Sequence, residues 1–141
     1  MKRIIMCMAL LAFLTFLAAG QNSESIVGNW KGDREGVTWV TLNVDRASNG
    51  ELAGTAVFSI MAPPEDHRPP RVVGSRELKL LDPAQDGNVF LFKIKNHQGK
   101  VTMDPSSGDT IQFQMTLTSD TEATLRTKFH DNTPMPMVKQ P

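Results

Sequence analysis

The chain has 141 residues, with 15 lysines and arginines against 15 aspartates and glutamates, three histidines and one cysteine. This length is enough for one hydrophobic core of ordinary size and short for two. The basic residues are scattered along the chain, which excludes the basic patch of a nucleic-acid-binding protein, and we expect no nucleic-acid partner.

The first twenty residues have the pattern of a secretory signal peptide. Two basic residues stand at positions 2 and 3, residues 4–17 are almost all apolar, and the small residues at 18–20 offer a cleavage site. The apolar run is shorter than the roughly twenty residues that a membrane-spanning helix needs. We therefore expect residues 1–20 to be a cleaved signal peptide and residues 21–141 to be a single domain, secreted or periplasmic and not held in the membrane.

The expected mature chain has no thiol and is slightly acidic. The only cysteine, Cys7, lies within the apolar run and leaves with it. A disulfide and a cysteine-linked lipid are then both excluded, so the domain must rely on its core for stability. Without the two basic residues of the signal, 13 lysines and arginines face 15 acids, a formal charge of −2.

From residue 26 onward, apolar and polar residues alternate with a period of two, which is typical of strands with one buried face. The clearest case is TIQFQMTLT at 110–118, where Ile, Phe, Met and Leu alternate with Gln and Thr. No stretch has the period of a long helix. The predicted strands cover 26–32, 37–45, 51–60, 72–81, 88–95, 110–118 and 122–129, with an eighth, edge strand in MPMVK at 135–139.

Aspartate, proline and glycine separate these strands. Three stretches share this composition: VDRASNGEL, LDPAQDGNV and MDPSSGDTI. Aspartate caps its own turn, proline presets the next dihedral angle, and glycine accepts a positive φ. The spacing does not match the twelve-residue calcium loop with its final glutamate. We therefore interpret these stretches as hairpin turns, including one at 82–87.

An even number of strands lets the first and last strands of a closed meander pair antiparallel. We therefore predict an all-β fold, an up-and-down antiparallel meander that closes into a barrel of about eight strands, without the marginal strand KVTM at 100–103. Alternate connections then share one end. One end holds only short connections, at 46–50, 82–87 and 119–121. The other end holds the connections at 33–36, 61–71, 96–109 and 130–134, which include the two longest. One closed and one open end is typical of ligand-carrying barrels.

The stretch IVGNWKG at 26–32 resembles the Gly-x-Trp start of calycin-type barrels such as lipocalins and avidins, and GELAGTA at 50–56 is similar to an avidin-type hairpin strand. The whole layout is most similar to small uncharacterised secreted bacterial domains with a GxWxG, LxGT, FxMTLT pattern. The resemblance implies a lipocalin-like barrel whose closed end is plugged by Trp30 beneath a late basic side chain. Arg126 is the late candidate, although its alternation points outward. The aromatic ligand box of avidins is absent.

The alternation also defines the expected interior of the barrel. Its members are large apolar residues on the predicted inner face: Val40, Leu42, Phe58, Phe92, Ile94, Phe113, Met115 and Leu125. A barrel of eight strands either holds one small ligand or is filled by its own side chains. We expect these residues to line a site for a small, partly apolar molecule.

A second candidate site consists of His67, His97 and His130, which all fall on predicted open-end loops. Imidazole is a zinc ligand, and a catalytic zinc needs three protein ligands. No two of the histidines have ligand spacing on a regular element. His67 lies in APPEDHRPPR at 62–71, whose four prolines predict a stiff, extended loop.

Other catalytic patterns are missing. No serine has a strand–turn–helix context, no pair of acids faces inward across a cleft, and no glycine-rich phosphate loop is present. The leading hypothesis is an exported, non-catalytic barrel without a cofactor, which binds a small hydrophobic molecule or acts as an extracytoplasmic interaction module. A metal-binding protein or metal-dependent enzyme with a histidine rim, and a structural accessory protein with a solid core, are the alternatives.

Overall fold

The computed structural model describes residues 25–62, 68–95, 110–127 and 133–141. Every helix or strand in these ranges is a β-strand: β1 (Gly28–Arg34), β2 (Val37–Arg46), β3 (Leu52–Met61), β4 (Val72–Lys79), β5 (Leu81–Asp86), β6 (Val89–Lys95), β7 (Thr110–Leu117), β8 (Glu122–Thr127) and β9 (Met135–Lys139). In the same ranges there is accordingly no helix of the length and apolarity needed to cross a membrane.

All nine strands belong to one antiparallel sheet, in the order β4-β3-β2-β1-β9-β8-β7-β6-β5. The sheet curls into a nearly closed barrel. β1 pairs with β9, so the first and last described strands lie side by side. The prediction of an all-β, up-and-down antiparallel meander is thereby confirmed. A strand is present at 135–139, but its prediction as an edge strand is wrong, because β9 pairs with β1 on one side and with β8 on the other.

The two edge strands of the sheet, β4 and β5, follow each other directly in the chain. Only Leu80 separates them, and its backbone N–H donates to the carbonyl oxygen of Gly54 at 3.0 Å. β4 pairs with β3, whereas β5 pairs with β6. Residues 72–86 therefore form one bent strand, whose first half lies at one edge of the sheet and whose second half lies at the other. Counted in this way, the nine strands make eight passes along the barrel, as in an eight-stranded meander.

The prediction of a turn at 82–87 is wrong, because β5 (Leu81–Asp86) occupies most of it. The sequence LDPAQD has few apolar residues and a proline, so it lacks the alternation of a buried strand. At a sheet edge a proline removes no ladder hydrogen bond. The ladder with β6 also skips Asp82 and Pro83, and Asp82 has a φ of 48°. This bulge lets the proline lie in a strand.

Antiparallel pairing gives the barrel two different ends. The closed end holds the short connections β2–β3, β5–β6 and β7–β8. The open end holds the β1–β2 turn and the strand ends that flank residues 63–67, 96–109 and 128–132. The sequence predicts this division. Residues 1–24, with the predicted signal peptide, and the marginal strand at 100–103 lie outside the described residues.

The core fills the closed half and the middle of the barrel. Its largest fully buried side chains are Trp30, Phe90, Phe92, Ile26, Leu42, Met115, Leu125, Met137, Val40 and Val44. Gly32 shows how tight this packing is, because a Cβ atom there would lie 2.5 Å from Met137 Sδ and 3.0 Å from Val40 Cγ1. The second glycine of GxWxG thus makes room for side chains from β2 and β9.

Candidate functional site

The structure places the eight predicted interior residues on one face of the sheet. Seven of them have at most 4% of their surface exposed, whereas the eighth, Phe58, is only partly buried. These seven pack against one another and against Trp30 as one cluster. They form the core, so an accessible site has to be sought nearer to the open end, around Phe58.

Five side chains near the open end face the inside of the barrel and keep part of their surface accessible. We call them the mouth cluster: Trp39, Phe58, Ile60, Arg76 and Ile111. Ile60 lies two residues beyond Phe58 on the same face of β3, yet it is 47% exposed. Ile111 pairs with the buried Ile94 and packs against the core. Apolar surface that faces inward but remains accessible is the feature expected of a ligand mouth.

Trp39 joins this cluster because β2 contains a bulge. Gly32 pairs with Val40 and Asp33 with Thr38, so Trp39 is an extra residue without a partner on β1. A bulge changes the direction of side chains, and here the rings of Trp39 and Phe58 form a T-shaped pair, with centroids 5.6 Å apart and planes at 82°. Simple alternation puts Trp39 on the opposite face from Val40, so the sequence did not reveal this residue.

A hydroxyl group supports the bulge. Ser59 Oγ donates to the carbonyl oxygen of Thr38 at 2.7 Å in a partly buried position. Ser59→Ala should lower the free energy of unfolding by about 1 kcal/mol, because the Thr38 carbonyl loses its partner. Ser75 is the matched control, since it is exposed on β4 directly opposite Ser59, and Ser75→Ala should stay within about 0.5 kcal/mol. Equilibrium urea unfolding measures both, and equal losses would contradict this role of Ser59.

A row of aromatic rings connects the mouth to the core. Beyond Trp39 and Phe58, the Phe58 centroid lies 5.6 Å from that of Phe113, and Phe113 stacks on Phe92 at 5.2 Å with planes 3° apart. Phe90 follows at 5.5 Å from Phe92. Such pairs add about 0.5–1.5 kcal/mol each beyond their buried area. The mouth therefore has a rigid aromatic floor.

Two arginines give the mouth a positive charge. The Cζ atom of Arg34 lies 5.5 Å from the centroid of the Trp39 ring, in a cation–π arrangement. Arg76 pairs with Phe58 across β3 and β4, and paired residues project from the same face of a sheet. Leu78, two residues along β4, packs against the core and identifies that face as the inner one. Arg76 thus projects from the inner face beside the Phe58 ring.

Trp30 lies at the closed end of the barrel and is fully buried. Its Nε1 donates to the carbonyl oxygen of Ile26 at 2.8 Å. Lys139 Nζ lies 5.6 Å from the centroid of the Trp30 ring and donates to the carbonyl oxygen of Ser25 at 2.9 Å. Arg126, the late candidate from the sequence, is not this partner: it pairs with Gln114 and is exposed on the outer face, as its alternation indicates. Alternation in MPMVK would have pointed to Lys139.

A polar groove of about 650 Å³ lies at the closed end, between the β2–β3 hairpin and β5. Its charged side chains already have local partners. Arg46 donates to the carbonyl oxygen of Gly50 at 2.7 Å, Glu51 accepts from Asn49 at 2.8 Å, and Asp82 pairs with Lys93 at 3.2 Å. These bonds shape the turns, so the mouth cluster is the stronger candidate site.

The predicted metal ligands His67, His97 and His130 lie outside the described residues. Among the residues that are described, no three histidines, cysteines, aspartates or glutamates form a group that could hold a metal ion. The histidine rim stays a prediction from the sequence.

Comparison with known proteins gives no relative from which a role could be transferred to these residues. No protein-family model, no curated protein and no solved structure matches the chain.

Proposed function

We propose that this protein is an exported, non-catalytic barrel that binds a small, partly apolar molecule at its open end. The mouth cluster carries the proposal. Its aromatic and aliphatic side chains face inward and are half-buried to exposed, while the residues beneath them are fully buried. Mostly apolar, concave surfaces with a few polar groups are the usual form of a small-molecule site.

Export is supported by the sequence. The basic start, the apolar run and the small residues at 18–20 are the three parts of a signal peptide. A mature chain without cysteine forms no disulfide in an oxidising compartment, so its stability must come from the buried cluster around Trp30.

Membership of the calycin-type barrels is part of the same proposal. Trp30 lies in the Gly-x-Trp stretch of the first strand, and a basic side chain of the last strand, Lys139, covers its ring. This arrangement is what the resemblance implies, with Lys139 in place of Arg126. It supports a lipocalin-like architecture, in which ligands enter at the end opposite the tryptophan.

A structural accessory protein with a solid core is the competing function, and the filled closed half of the barrel agrees with it. The open half favours a ligand site, because Ile60 is 47% exposed next to the partly buried Trp39, Phe58 and Ile111, and contiguous accessible apolar surface is typical of a binding site. The metal-binding alternative depends on histidines outside the described residues, and nothing in the mouth cluster supports it.

Ile60→Gln should weaken binding of the neutral fluorescent probe N-phenyl-1-naphthylamine about fivefold or more. The substitution puts a polar amide into the mouth, where a bound apolar molecule would have to desolvate it. Val138→Gln is the matched control: Val138 is a 50% exposed aliphatic strand residue, but it pairs with Glu122 on the outer face. Probe titration, followed by the rise in its fluorescence, measures both variants.

The probe should bind the wild type and the Val138→Gln variant equally. Thermal unfolding of the three proteins should agree closely, since both substitutions replace exposed side chains. A wild type that does not bind the probe, or two variants that lose binding equally, would contradict a site at the open end.

A further inference from the structure

We infer that the mouth is built for a small planar aromatic carboxylate, held by Arg76 over an aromatic floor, and that it does not accept a long-chain lipid. The inference rests on the proposed function and adds the chemical class of the ligand. Three observations carry it: the depth of the mouth, the rings that line it, and the position of Arg76.

The mouth is shallow. Phe92, Met115 and Leu125 are at most 2% exposed and lie directly beneath it. Interiors packed in this way contain few voids larger than a water molecule. A flexible chain of ten or more carbons would need a channel towards Trp30, and the core fills that path. A ligand must therefore stay above this buried layer, as a molecule of one or two rings can.

The lining suits a flat molecule. The rings of Trp39 and Phe58 are nearly perpendicular, with planes at 82°, and those of Phe58 and Phe113 are tilted by 39°. Because these rings are inclined to one another, a flat ligand placed among them could make an edge-to-face contact with one ring and an offset-stacked contact with another. Aromatic systems prefer both geometries. Ile60 and Ile111 complete the lining with aliphatic surface that packs against ring edges.

Arg76 supplies the polar contact. It projects from the inner face next to Phe58, it is partly buried, and the described residues include no acid bonded to it. A guanidinium group forms paired, charge-assisted hydrogen bonds with a carboxylate, and it is more weakly hydrated than an ammonium group. Its position beside the rings places a carboxylate at the rim while the ring of the same molecule lies on the floor.

Arg34, next to Trp39, adds to the same electrostatic field. Its guanidinium lies 5.5 Å from the ring centroid, while the neighbouring Asp33 is paired with Lys31 at 3.3 Å. Positive charge at a concave, partly apolar surface attracts anions and raises the rate at which they arrive. The mouth thus combines an aromatic floor with a rim that favours anions.

Calorimetric titration with 2-naphthoate, its neutral analogue 2-naphthamide and the linear decanoate tests the inference. The wild type should bind 2-naphthoate about tenfold more tightly than 2-naphthamide, and more tightly than decanoate. Arg76→Met, which keeps the aliphatic stem and removes the charge, should weaken 2-naphthoate about tenfold or more and leave 2-naphthamide unchanged. Lys79→Met is the matched control, because Lys79 is an exposed cation on the outer face of the same strand, and it should change binding by less than about twofold.

The outcomes separate the inference from the proposed function. Equal binding of 2-naphthoate and 2-naphthamide, with no effect of Arg76→Met, overturns the carboxylate site but leaves an apolar ligand site at the mouth. Tighter binding of decanoate than of 2-naphthoate overturns the shallow, planar site. Failure of the naphthyl compounds, decanoate and N-phenyl-1-naphthylamine alike to bind overturns both proposals. Thermal unfolding of Arg76→Met close to that of the wild type shows that a loss of binding does not come from misfolding.

Discussion

Replacing Trp30 with alanine should lower the free energy of unfolding by about 3–5 kcal/mol. The side chain is fully buried at the closed end, and it is the largest member of the core. Alanine would leave a cavity between β1, β2 and β9 that the surrounding side chains cannot fill completely. The indole also holds residue 26 through a hydrogen bond of 2.8 Å, so the segment before β1 should lose its attachment together with the ring.

Two further variants separate the ring from its hydrogen bond. Trp30→Phe keeps most of the apolar volume and loses the Nε1 donor, so it should be less destabilised than Trp30→Ala. Trp39→Ala removes an indole that is only partly buried, and its loss should be the smaller of the two alanine substitutions. Urea unfolding followed by far-ultraviolet circular dichroism measures all three. A Trp39→Ala loss as large as that of Trp30→Ala would show that the core is not centred on the closed end.

Period-two alternation was sufficient to predict most of the fold. It is reliable where one face of a strand is buried, because every second side chain is then apolar. TIQFQMTLT shows this best: Phe113, Met115 and Leu117 are buried, while Gln112 and Gln114 are exposed. The number of passes along the barrel was also predictable, because antiparallel pairing of the first strand with the last requires the chain to cross the barrel an even number of times.

The candidate site was harder to predict, because it depends on departures from regular pairing. Trp39 reaches the mouth only through the bulge opposite Gly32 and Asp33, and a bulge leaves no mark in the alternation of apolar residues. β5 was missed for a related reason, since Asp82 and Pro83 interrupt the ladder.

Charged residues on an inner face are a third case. Arg76 lies two residues from Leu78 and therefore on the same face of β4. Its inward position follows from the alternation once the strand register is known. The predicted interior set contains only apolar residues and so does not include Arg76, since an arginine on an inner face departs from the usual pattern of buried residues. Departures of this kind are most often found at functional sites.

Phe113→Ala should also lower the free energy of unfolding by about 3–5 kcal/mol. Phe113 is 3% exposed and lies at the centre of the aromatic row, stacked on Phe92 and in contact with Phe58. Its removal should open a cavity beneath the mouth and leave Phe58 without its support. Phe113→Leu, which retains most of the volume, should lose only about 1–2 kcal/mol.

Gln114→Ala is the control on the same strand. Gln114 is exposed on the outer face, and its amide makes only a long contact of 3.4 Å with Thr116 Oγ1. Its loss should therefore stay within about 0.5 kcal/mol. The two residues are adjacent in β7 and occupy opposite faces, so equal losses in urea unfolding would mean that the register of β7 is shifted by one residue. Such a shift would turn Ile111 away from the mouth as well, and the ligand site would lose its floor.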